Sequence, residues 1–172
     1  MKNITYKEVL DRFYPGIQVQ ADTENYDEII WGEVAPIAAE VLNPLKKIVH
    51  AQEERVAHVS NDCELSIISG FESAALGTIR IYDSEQVDQL NLIGAAASTA
   101  PTPENPAGTA IYYASRDPAT GIKTYDLHTF SQIRKVLEDG AAVKLQKLQK
   151  FAQLRNQIYS ALTLADIHSI DW

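Results

Sequence analysis

A single cysteine, Cys63, in a chain of 172 residues excludes an intrachain disulfide and any site built from several thiolates, zinc and iron–sulfur alike. No stretch approaches the ~20 consecutive apolar residues that a membrane helix requires. No basic, apolar leader opens the chain at Met1-Lys2-Asn3, which predicts that it is not exported through a signal peptide. The spacings that carry common chemistry are also missing: no G-x-G-x-x-G or Walker glycine loop, no H-E-x-x-H pair and no G-x-S-x-G elbow. His50, His58, His128 and His168 are scattered, and the first two, eight residues apart on one helical stretch, cannot chelate one ion within a chain. Cys63 stands between Asp62 and Glu64, charges that disfavour a thiolate, so it reads as a packed thiol. Pairs such as Glu53-Glu54 and Asp27-Glu28 read as surface charge. The expectation is no catalytic residue, no cofactor and no metal.

What is present is globular: 45% apolar and 22% charged residues, enough to build a core without a staple. The net charge of −8 is uneven. Residues 1–72 hold 6 basic and 13 acidic groups, whereas residues 131–172 hold 6 and 4. An acidic front does not suit nucleic acid, whose phosphates demand clustered Lys and Arg. The basic run Lys144, Lys147, Lys150 and Arg155 is compatible with a solvated helix face, an acidic partner or an electrostatic footprint.

Thr5 and Glu8 form a capping box ahead of Val9, Leu10 and Phe13, with Pro15-Gly16 as a stop. Residues 17–20 and 26–31, the latter ending at Trp31, read as two strands of a hairpin. Helical pattern begins after Pro36, and Asn43 followed by Pro44 predicts a cap and a new helix over 44–68. Its apolar face is thin, interrupted by Gln52 and Ser66, as in a seam between helices. At 1.5 Å per residue it would be ~37 Å long, against an expected radius of ~16 Å for a compact chain of this size. Residues 71–76, between Gly70 and Gly77, read as a short helical turn, and 78–82 as a strand. Asp83 with Gln86 opens a helix whose Val87, Leu90, Asn91, Gly94 and Ala97 share a side. A loop with three prolines spans 99–108, strands at 110–114 and 122–127 form a hairpin, and Thr129 with Gln132 caps a helix to about residue 160. That helix carries a wide apolar stripe. Thr163 and Asp166 cap a last turn before Trp172, whose indole either packs in a groove or frays with the chain end.

The densest polar constellation lies at 82–92. Asp88 and Asn91, one turn apart, can tie backbone groups at a strand-to-helix junction, form a binding epitope, or hold a substrate or cation.

Gly70-Phe71-x-Ser73-x-x-Leu76-Gly77, Tyr82-Asp83-Ser84, Asp88-Gln89-x-Asn91-Leu92-x-Gly94-Ala95, His128-Thr129-x-x-Gln132 and the closing Ile170-Asp171-Trp172 together resemble a domain of unassigned function found in phage and prophage tail proteins. That domain is often encoded beside tail-fibre genes. The likeness spans about 45–172, and residues 14–36 resemble the leader of small tail and tail-fibre assembly proteins. The expected architecture is α+β, mainly helical, with two long helices in a bundle or coiled-coil-like stalk and small antiparallel sheets. Residues 1–43 would be a helix–hairpin attachment module, and 44–172 the helical tail-protein domain.

The resemblance implies a non-enzymatic virion component that connects, decorates or terminates a tail fibre or baseplate, made in the host cytoplasm. Its partners would be fibre or baseplate proteins and further copies of itself, as a trimer ahead of a dimer, with no nucleic acid and no membrane. A tail-fibre assembly chaperone that stays in the host cytoplasm is the alternative, and a small-molecule enzyme a distant one. Asp83, Asp88, Asn91, His128, Trp31 and Trp172 are the structural or interface candidates.

Overall fold

The structure, a computed structural model, describes residues 3–20 and 22–172. Met1 and Lys2, on which the leader reading partly rests, lie outside the described residues. The elements are α1 (Tyr6–Phe13), a 3-10 turn (Tyr26–Glu28), α2 (Ala39–Ile68), β1 (Phe71–Ser73), β2 (Arg80–Tyr82), α3 (Gln86–Ser98), β3 (Ile111–Arg116), β4 (Lys123–His128), α4 (Phe130–Ser160) and α5 (Leu164–Ser169). The fold is α+β and mainly helical, with one antiparallel sheet in the order β1-β2-β3-β4. No helix among the described residues is long and apolar enough to cross a membrane. Contacts group the chain into two compact units that divide within α2 and α4. One compact unit comprises the residues up to Ser60 with 153–172, and the other comprises 61–152.

In the first unit the capping box forms as expected: the Glu8 carboxylate accepts the Thr5 N–H at 2.9 Å and Thr5 Oγ1 accepts the Glu8 N–H at 3.4 Å. Tyr6, Val9 and Leu10 are buried with Ile4, Ile29, Leu42 and Val49, and half-buried Trp31 packs against this core beside Tyr26, ring centroids 6.2 Å apart. Among the described residues the expected hairpin shrinks to one antiparallel bridge, Gln20 with Ile30, and Tyr26–Glu28 turns into 3-10 helix. The cause is local. Thr23 Oγ1 accepts the Asn25 N–H and Asn25 Oδ1 accepts the Asp27 N–H, side-chain bonds that favour a turn over a ladder.

Pro44 does not start a helix but lies inside α2, which already runs from Ala39. Near a helix start the missing N–H costs one bond, to the carbonyl of solvent-exposed Glu40, and Asn43 accepts the Tyr6 hydroxyl instead of capping. At the other end Thr163 caps α5 as expected, Ile167 is buried, and Arg55 on α2 donates to the Ile170 carbonyl and pairs with Asp171 at 3.1 Å. Trp172 is half-buried.

In the second unit 71–76 is not a helical turn. Phe71 and Ser73 alternate inward as β1, paired in register with Tyr82 and Arg80. The inward residue of β2 is Tyr82, fully buried, while Ile79 is exposed. The α3 side carrying Val87, Leu90, Asn91, Gly94 and Ala97 faces solvent, and Leu92 and Ala95 enter the core with Phe71, Tyr82, Ile133 and Val136. Asp83 does not cap this helix; Glu85 is its cap residue. Thr129 and Gln132 cap α4 as expected, but the wide stripe is only partly buried, since Leu145 and Leu148 are exposed. Gly140, in the middle of α4, is explained by Phe71: a Cβ there would stand 2.7 Å from the ring. Cys63 is buried, its thiol directed at the Lys147 carbonyl at 3.7 Å, and burial pushes its pKa up.

Candidate functional site

The β3–β4 hairpin has two chemically different faces because side chains alternate along each strand. Inward, Tyr113 joins Phe71, Tyr82 and His128 in an aromatic cluster: Tyr82 stacks on Phe71 and Tyr113 at 5.8 and 6.5 Å, and both tyrosines meet His128 edge-on. His128 is fully buried at the end of β4. Its Nδ1 lies 2.7 Å from the Asp126 carbonyl, which can only accept, so Nδ1 carries the proton; Nε2 then accepts the Tyr82 hydroxyl at 2.8 Å. Beside this cluster Arg80 ties β2 to the hairpin through Ser115 Oγ at 3.0 Å, Thr124 and Asp126 Oδ2 at 3.2 Å.

Burial pushes the Tyr82 and Tyr113 hydroxyls up to about 12, against ~10 for free tyrosine. Both stay protonated in the folded chain after the unfolded chain has ionised. This contribution to stability is therefore complete below pH ~10 and is lost as pH rises from there towards about 12. For fully buried Tyr82 the loss is roughly 2–3 kcal/mol. In an alkaline titration, phenolate absorbance from these two of the eight tyrosines should appear together with loss of circular dichroism rather than before it.

The outward face is open. Tyr112 and Tyr125 are 67% and 69% exposed, with Leu127 and Ile122 exposed on the same hairpin. Along this face runs a groove of about 380 Å³, lined by Asp83, Asp88, Asn91, Tyr112, Lys123 and Tyr125. Asp83, directly after β2, bridges both strands: Lys123 donates to it at 2.8 Å and Arg116 pairs with its other oxygen. The Lys123 hydrogen bond, followed by the charge of Arg116, holds the Asp83 carboxyl below the usual carboxylate range despite partial burial. Asp88 Oδ2 accepts the Glu85 N–H at 3.1 Å, while its backbone carbonyl accepts the Tyr113 hydroxyl at 3.3 Å. Asn91, one turn on, is exposed on the groove wall.

Three of the six residues singled out from sequence thus meet in one groove, and His128 lies in the core behind the same hairpin. Trp31 and Trp172 belong to the other unit and are described there. The site residues that sequence reasoning passed over are Tyr112, Tyr125 and Lys123. Their signal was alternation: once Tyr113 is inward, Tyr112 must be outward, and its cross-strand neighbours follow. The groove offers two aromatic surfaces, an amide and two carboxylates, one of them neutralised by a lysine and an arginine. That set suits contact by stacking, apolar burial and hydrogen bonding. Comparisons with protein-family models, curated proteins and solved structures find no match to this chain.

Proposed function

We propose that this chain is a non-enzymatic phage tail component that connects, decorates or terminates a tail fibre or baseplate, and that the outward hairpin face is where it docks. The observation that supports docking is the exposed Tyr112–Tyr125–Leu127 surface beside the Asp83–Asp88–Asn91 groove. Aromatic residues ringed by polar ones are the composition of interface centres, and exposed apolar groups clustered on one face mark contact sites. The tail setting comes from the resemblance of the ordered sequence blocks, whose Gly70, Tyr82, Asp83, Asp88, Asn91 and His128 all belong to the unit carrying this face. Self-association through the long helices, as a trimeric bundle or coiled-coil stalk, is part of the reading; apolar Leu65, Leu145 and Leu148, left exposed along α2 and α4, support it. The alternative, an assembly chaperone, draws on the leader resemblance at residues 14–36.

The test is a particle-incorporation assay with Tyr112→Ala/Tyr125→Ala. Both side chains are exposed, so the variant should melt within about 0.5 kcal/mol of the parent. Its incorporation into purified tails should fall at least about tenfold, as removal of a central aromatic pair does at an interface. Parent chain at fixed stoichiometry in particles supports the component. Absence of the parent from finished particles overturns it in favour of the chaperone, and parental incorporation of the variant moves docking away from this face.

A further inference from the structure

A second cavity lies in the same unit and shares only Asp83 with the groove of the docking face. It is a pocket of about 210 Å³ whose lining is chiefly apolar, formed where the end of α2, β1, α3 and α4 meet. Phe71 and Leu92, both buried, line it with Leu137, and Gly140 exposes bare backbone where any larger residue would collide with the Phe71 ring. A void of this size and polarity exceeds the ~150 Å³ apolar cavity that is known to stay dry and admit benzene.

The rim is cationic. Lys144 and Lys147 sit three residues apart on α4, hence on one side of the helix, and both line the pocket. Lys144 Nζ donates to Gln89 Oε1 at 2.9 Å, and Lys147 Nζ donates to the Ser66 carbonyl. Both of these acceptors are neutral oxygens. An ammonium has three donors, so each lysine retains hydrogen-bonding capacity as well as its charge. The carboxylate among the lining residues, Asp83, is already bridged by Lys123 and Arg116. In a chain of net charge −8, an apolar pocket with two ammoniums at its mouth and its acid already neutralised is complementary to a molecule with an apolar body and one negative head.

We propose that this pocket binds a small amphiphilic carboxylate of roughly ten to twelve heavy atoms, its apolar part against Phe71 and Leu92 and its carboxylate between Lys144 and Lys147. The acid can arrive as a free molecule or as the C-terminal apolar residue of a peptide; the recognition chemistry is shared.

Octanoate is the probe, titrated into the full-length chain and followed by heteronuclear NMR and calorimetry, with octylamine as the charge control. Octanoate should perturb Phe71, Leu92 and Gly140 in a saturable way, and octylamine should bind at least about tenfold more weakly. Lys144→Gln should weaken octanoate about three- to tenfold with an unchanged melt. Lys147 also holds the end of α2, so its variant is judged only beside Ala141→Phe, which fills the mouth from an exposed position and should abolish binding in a folded chain. A C-terminal Leu peptide run beside its amide distinguishes the source: preference for the free-acid peptide over octanoate assigns the site to a chain end. Equal binding of octanoate and octylamine, octanoate binding unaffected by Ala141→Phe, or no saturable shift at millimolar octanoate would each overturn the proposal.

Discussion

Tyr82→Ala should cost about 3–5 kcal/mol, a large share of the roughly 5–15 kcal/mol that holds a typical domain. The side chain is fully buried, stacks on Phe71 and Tyr113, and bonds His128. Removing the ring leaves a cavity where the sheet meets α3 and α4 and strips His128 Nε2 of its donor in the same step. Tyr82→Phe separates these effects, because it keeps the ring and deletes only the hydroxyl. Its expected cost is about 1–3 kcal/mol, that of a buried acceptor left unpaired. Urea unfolding with an unchanged slope would read both values. A Tyr82→Ala loss under about 1 kcal/mol would mean that the aromatic cluster does not organise this unit.

Tyr82 also illustrates where sequence reasoning reached and where it stopped. The existence of the strand was legible, although it spans Arg80–Tyr82 and not the whole of 78–82, and so was the alternation of its faces. The inward side was not, because Ile79 and Ile81 outrank Arg80 and Tyr82 in hydrophobicity. A tyrosine becomes a core residue only if its hydroxyl finds a partner, and that partner, His128, lies 46 positions away. The same limit applies to α3. Spacing puts Val87, Leu90, Asn91, Gly94 and Ala97 on one side without saying whether that side is buried; the helix instead buries Leu92 and small Ala95, which pack in one core with Phe71 and Tyr82. Local devices were read in part: the Thr5–Glu8, Thr129–Gln132 and Thr163–Asp166 caps form at the expected three-residue spacing, whereas the same spacing at Asp83–Gln86 does not cap α3, which takes Glu85. The groove was half legible. Asp83, Asp88 and Asn91 are neighbours in sequence, whereas Tyr112, Lys123 and Tyr125 reach it only through the sheet register.

Gln52 is the most instructive residue on α2. At sequence level it interrupts an apolar face and makes that face resemble a seam between helices. In the structure it is fully buried, and its amide does work that no apolar residue could do. Nε2 donates to the carbonyls of Tyr159 at 3.3 Å and Ala161 at 2.8 Å, groups at the end of α4 that have no partner within the helix, while Oε1 accepts Arg12 Nη1. Arg12 in turn pairs with Glu53 at 2.9 Å and lies over the Tyr159 ring. One amide therefore joins α1, α2 and the end of α4 within the first unit.

Gln52→Leu preserves approximate volume and should still destabilise this unit by about 2–4 kcal/mol, because two carbonyls and one guanidinium nitrogen lose a buried partner. Hydrogen exchange should quicken at residues 157–161 while the β3–β4 amides keep their protection. Gln52→Glu is the sharper variant. Near neutral pH its carboxylate still serves Arg12 but sets a negative oxygen against two carbonyl oxygens, so it should not restore the parent. Protonation supplies the missing O–H donor, so the deficit relative to Gln52 should narrow as pH falls through the range of that carboxyl. A glutamate variant as stable as the parent at pH 7 would show that the two carbonyl bonds contribute little, and that Gln52 is held in the core by Arg12 alone.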